Sequence, residues 1–128
     1  MFLSVVVLVN LDQATALVEN PQVAFKAPVV IGKPSTPTPE GIYLLEKAYS
    51  AKLGMNMLVF KRDESGVYAI HPNMSSRTHQ INSETPKDNK LSAGCIGMRQ
   101  KEFDKLWNQN QTMILQVYGG DKMTAISR

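Results

Sequence analysis

The sequence predicts a mainly β domain with one or two short helices, and three observations carry that expectation. Its apolar stretches are short and rich in Val and Ile, turn formers separate them, and only one stretch shows helical periodicity. Successive strands follow one another too closely for crossover helices, so antiparallel meanders are expected. The length of 128 residues suits one ordinary domain and is too short for two well-filled cores. One domain over 1–128 is expected, with a core from about 3 to 118 and a loose tail over 119–128.

Taken in order, Leu3 to Val9 reads as a central strand and Asn10-Leu11-Asp12-Gln13 as a turn. The apolar stretch Phe2 to Val9, followed by the small-x-small triplet Ala14-Thr15-Ala16, also has some features of a signal peptide. No Lys or Arg precedes it, and Asp12 sits just before the supposed cleavage point, so the strand reading is preferred. Eight apolar residues are also too few to span a bilayer, and no membrane insertion is expected. Ala14 to Val18 returns, Glu19-Asn20-Pro21 turns, and Val23 to Ile31 forms a third strand. Ile42 to Tyr49, Met57 to Lys61 and Val67 to His71 are three more, the last two joined by a hairpin at Asp63-Glu64-Ser65-Gly66.

Two polar stretches interrupt this rhythm. Gly32 to Gly41 holds three prolines and can donate few ladder hydrogen bonds. Pro72 to Ser92 has almost no apolar content, and a connection of that length is usually a functional loop or lid. A helix is expected from about Gln100 to Asn108, because Phe103, Leu106 and Trp107 fall on one face and Glu102, Asp104 and Lys105 on the other. Met113 to Tyr118 then closes the sheet.

Composition removes several classes of function. Lys and Arg number 14 against 11 Asp and Glu, but they are scattered singly, unlike a surface that tracks a phosphate backbone, so no nucleic-acid partner is expected. A single cysteine excludes an internal disulfide and a multi-cysteine zinc site, and the two histidines could hold a metal only with carboxylate help.

That cysteine, Cys95, lies in Ser92-Ala93-Gly94-Cys95-Ile96 at the end of the long polar loop. A lone cysteine is most often a small buried hydrophobe. Here Gly94 permits a backbone geometry closed to other residues, and consecutive N–H groups at such a turn can receive an oxyanion. A thiol is mostly protonated at neutral pH and needs a base to act as a nucleophile. His71, at the end of an alternating strand, is better held for that task than His79 in its polar surroundings; the spacing alone does not choose between them.

In these residues the chain resembles the L,D-transpeptidase catalytic domain family, the YkuD-like fold. That family shows a histidine at a strand end, a polar loop, then Ser/Thr-x-Gly-Cys and an aliphatic residue; here these are Ile70-His71 and Ser92 to Ile96. The stretch Ile31-Gly32-Lys33-Pro34, with Thr36-Pro37-Thr38-Pro39-Glu40-Gly41-Ile42-Tyr43, is similar to the family's Gly-(Lys)…Thr-Pro-x-Gly-x-aromatic element. Ser83 to Ser92 resembles the loop of a subgroup with a longer insert. Members often carry Arg or Asn two residues after the cysteine, where this chain has Gly97.

The resemblance implies a β-sandwich or barrel-like sheet and a peptidoglycan-acting cysteine acyltransferase. Cys95 would attack the carbonyl between residues three and four of a stem peptide, and His71 would move the proton, oriented by a backbone carbonyl near Pro72. The N–H groups of Ala93, Gly94 and Cys95 would hold the oxyanion, and Ser92 would support the loop. Arg77, His79, Arg99 or Lys33 would contact the substrate. No metal or organic cofactor is expected. The thioester could pass to an amine, a free D-amino acid or water. The resemblance therefore also admits an L,D-carboxypeptidase or D-amino-acid-exchange enzyme of antibacterial-effector or phage type, and a non-catalytic wall-binding module. An unrelated β-rich domain with a buried thiol is the alternative outside the family. The implied site of action is the cell envelope or periplasm, reached without a convincing signal peptide and hence by a secretion system or phage.

Overall fold

The computed structural model describes residues 4–73, 81–82 and 84–120. Eleven strands and one α-helix succeed one another among them. Strands β1 (Val5–Asn10), β2 (Thr15–Glu19), β3 (Phe25–Pro28), β5 (Gly41–Leu44) and β11 (Met113–Tyr118) form one sheet in the order β3-β2-β1-β11-β5. A second sheet runs β10-β8-β7-β6, from β6 (Glu46–Ser50), β7 (Met55–Asp63), β8 (Gly66–Pro72) and β10 (Ile96–Met98). β4 (Ile31–Gly32) and β9 (Lys90–Ser92) make a short two-stranded ribbon.

Alternation explains how the two main sheets meet. Val5, Val7 and Val9 of β1 point inward with Met113, Leu115 and Val117 of β11, against Leu58, Phe60, Ile70, Ile96 and Met98 from the other sheet. The helix α1 (Gln100–Trp107) adds Phe103 and Leu106 to the same core. Each such side chain, once buried, contributes roughly 1.5–3 kcal/mol of transfer free energy. No helix among the described residues is long and apolar enough to cross a membrane.

Three expectations need correction. Val23 to Ile31 is not one strand: β3 stays on β2 only as far as Val29, whose N–H donates to Ala14 O at 3.0 Å; there the partner strand ends at Ala14 (φ +53°), and the chain leaves that sheet. Val30 then exchanges two backbone hydrogen bonds of 2.8 Å with Gly97, and β4 lies parallel to β9. Ile42 to Tyr49 is likewise two strands, with β5 on β11 and β6 on β7; Leu45 marks the corner where the chain changes sheets. Antiparallel meanders account for the hairpins only. The pairs β1–β11, β8–β10 and β4–β9 are parallel, each joining segments far apart in sequence.

The other elements fall where periodicity places them. The first strand, the hairpin between β7 and β8, the helix and β11 agree with the expected segments to within a few residues. The long polar stretch is not without structure, since a 3-10 turn at Pro86–Asp88 and β9 occupy its second half. Buried Asn89 ties that half down: its Nδ2 donates to Asn82 O at 3.1 Å, and its Oδ1 accepts from Asn82 N–H at 2.9 Å. Most of the expected tail, 121–128, lies outside the described residues.

Candidate active site

Cys95 occupies the turn that carries the chain from β9 into β10. Ser92 staples this turn internally: its Oγ donates to Cys95 O at 2.6 Å and accepts from Gly94 N–H at 3.1 Å. Gly94 has φ +127°, a region that side chains rarely enter, and an added Cβ would stand 2.7 Å from Tyr68 Cε2. Gly94→Ala therefore meets both backbone strain and the Tyr68 ring. It should cost about 2–4 kcal/mol of stability, read as a lowered urea midpoint.

The proline-rich segment braces the same turn from outside. Thr38 is buried; its Oγ1 donates to Gly94 O at 2.9 Å and accepts from Gly32 N–H at 2.9 Å. Thr36 Oγ1 and Lys33 N–H both donate to Ser92 O, at 3.2 and 2.9 Å. The close approach at Gly32, where a Cβ would overlap Thr36 O, makes that packing possible. Thr38→Val keeps the shape but strips two buried groups of their partner, and should destabilise by about 1–3 kcal/mol in the same unfolding measurement.

His71 is the penultimate residue of β8, and its Nδ1 lies 2.8 Å from Pro72 O. A carbonyl oxygen only accepts, so Nδ1 must carry a proton. In the neutral ring this leaves Nε2 with its lone pair. Gly97 pairs with His71 and Ile96 with Ile70, so β10 runs alongside the strand that carries the imidazole. Ile70 and Ile96 point into the core, which turns their neighbours His71 and Gly97 to the other face. Cys95 and His71 accordingly line one cavity of about 690 Å³, walled further by Tyr68, Pro37 and Asn73.

The sulfur rests against the main chain of β8. Cys95 Sγ lies 3.7 Å from Val67 O, and the Ala69 backbone also hydrogen-bonds it. Burial pushes the thiol above its ordinary pKa, with the Ala69 contact acting in the opposite sense. The resting form is thus a half-buried neutral thiol at a cavity wall, outside the aliphatic core.

Cys95, His71, Ser92, Ala93 and Gly97 are brought together at this cavity, with the Pro72 carbonyl on the imidazole. Gly94 N–H is directed to Ser92 Oγ. Arg99 lies at the start of α1, where its Nε donates to Glu102 Oε1 at 2.8 Å. Arg77 and His79 lie outside the described residues. Sequence reasoning assigned no part to Tyr68 or Asn73 and no individual contact to Thr38. Thr38 stood within the quoted Thr-Pro stretch, but its contact with Gly94 exists only once the chain is folded. No group of three His, Cys, Asp or Glu that could hold a metal occurs among the described residues.

A family model described as the L,D-transpeptidase catalytic domain (YkuD) matches residues 4–117. Among the curated proteins, none matches the chain. Among solved structures, a cysteine-to-serine mutant of an Enterococcus faecium L,D-transpeptidase is 20% identical with a TM-score of 0.68, covering 91% of this chain and 50% of that one. L,D-transpeptidase 3 from Mycobacterium tuberculosis is 17% identical with a TM-score of 0.67, covering 91% and 61%. The same protein in complex with a faropenem-derived adduct is 18% identical with a TM-score of 0.64, covering 90% and 60%. At these identities the likeness is one of fold, and the chain spans about half to three-fifths of those structures.

Proposed function

Because the chain belongs to the YkuD family of L,D-transpeptidase catalytic domains, we propose that it is a cysteine acyltransferase acting on peptidoglycan stem peptides at the cell wall. The observation that carries this reading is the shared cavity, in which an imidazole of defined tautomer on β8 and a thiol on the residue leading into the parallel strand β10 come together. His71 Nε2 takes the thiol proton, and Cys95 Sγ bonds to the carbonyl carbon that joins residues three and four of the stem. The carbonyl electrons move to oxygen. With Gly94 N–H turned to Ser92, the donors for that oxyanion are the N–H groups of Ala93 and Cys95; one such donor is worth roughly 3–4 kcal/mol of barrier. The C–N bond then breaks, and the imidazolium returns its proton to the departing D-amino acid.

The thioester is resolved by the reverse sequence. An incoming amine or water gives its proton to His71, bonds to the carbonyl carbon and expels the sulfur, which recovers the proton. Stem peptides are thus the partners of the site. Intact-mass measurement after incubation with purified tetrapeptide muropeptides tests the reading. The expected result is an adduct of donor minus one D-amino acid, together with free D-amino acid in solution; neither adduct nor release would overturn it.

The neutral resting thiol has its own consequence. Since burial raises the pKa of Cys95, the thiolate fraction grows only as pH rises beyond the ordinary thiol range. Alkylation by iodoacetamide should therefore be slow at neutral pH and climb through the alkaline region. A plateau already at neutral pH would instead indicate a preformed thiolate–imidazolium pair.

A further inference from the structure

We propose that Asn73 selects the leaving group, its carboxamide holding the carboxylate of the departing D-amino acid; this rests on Cys95 and His71 as the reacting pair. Asn73 N–H donates to Met98 O at 2.7 Å, which prolongs the β8–β10 ladder past Pro72. The strand alternation therefore carries through to Asn73, and its side chain shares the cavity face with His71. Diagonally across the ladder stands Gly97, the register partner of His71. A Cβ there would lie 2.8 Å from Asn73 Oδ1 and 3.3 Å from Val30 Cβ. The carboxamide of β8 thus fills the volume that a side chain at position 97 would take, two residues beyond the thiol. Two hydrogen bonds to Val30 fix the Gly97 backbone beneath it.

The order of groups along β8 gives the orientation. The sulfur lies beside Val67 and Ala69, the imidazole comes next at position 71, and the carboxamide lies beyond it at 73. The imidazole passes its proton from the sulfur to the leaving nitrogen, so the rest of the leaving residue extends toward Asn73. Two strand residues advance about 7 Å, a span that one α-amino acid and its hydrogen bonds can bridge. A carboxamide donates N–H to a carboxylate without carrying a charge, and it also accepts from an amide. A carboxylate at the same position would repel the first ligand and accept only the second.

Asn73→Asp and Asn73→Ala, compared with the native chain on two donors, test the assignment. One donor is a tetrapeptide muropeptide with its free terminal carboxylate; the other is the same peptide ending in a carboxamide. For Asn73→Asp, kcat/KM on the carboxylate donor should fall about 100-fold while the carboxamide donor stays within about threefold, a charge-specific split. The iodoacetamide rate at Cys95 should be unchanged in the uncharged variant Asn73→Ala, which shows that the thiol itself is intact. Equal losses on both donors, or none, would overturn the role of Asn73 and leave the acyl-transfer reading standing. A native chain that consumes neither donor would overturn both. Should Asn73→Asp fail to fold, Asn73→Ala decides: KM for the carboxylate donor should rise about tenfold, the scale of one lost hydrogen bond, and an unchanged KM with a fallen kcat would overturn the assignment.

Discussion

Cys95→Ala is expected to reduce donor consumption by more than about 10⁴-fold, to the background rate, and to remove the mass adduct. No other cysteine is present in the chain to take over the bond to the acyl carbon. The fold should survive, because the sulfur is half-buried at a cavity wall and makes only weak contacts to the Val67 and Ala69 backbone. Stability should change by no more than about 1 kcal/mol. Stem peptides should still bind, which separates chemistry from recognition in a titration followed by calorimetry. Residual turnover well above background would exclude Cys95 as the nucleophile.

The second large effect belongs to the imidazole. His71→Ala should slow formation of the thioester by about 10²–10⁴-fold, the usual contribution of a positioned general base. Its pH dependence distinguishes this role from a structural one. Solvent hydroxide can ionise the thiol as pH rises, so the gap between native and variant rates should narrow in the alkaline range. A gap independent of pH would mean that the ring serves packing alone. An unchanged rate would transfer the base function to His79.

Much of this architecture is legible in the chain because it is local. Alternating Val residues announce β1, the Asp63 to Gly66 segment announces the β7–β8 hairpin, and the spacing of Phe103 and Leu106 announces α1. What escapes is decided by partners far away in sequence. No periodicity reveals that Leu45 turns a corner between sheets, or that β10 will lie parallel to β8. The same division runs through the site. The thiol and the strand-end imidazole stand out by residue type and by position on a strand, whereas the Pro72 carbonyl is reached only through the family resemblance. Thr38 and Tyr68 matter only through the space around Gly94, and Asn73 only through the missing side chain at Gly97.

The parallel register of β10 beside β8 reaches further than the placement of two residues. It makes the separation of sulfur and imidazole a property of main-chain hydrogen bonds, independent of the length of chain that connects them. A change of length in the part of that connection ahead of β9 should therefore leave the strand register, and with it the reacting pair, in place.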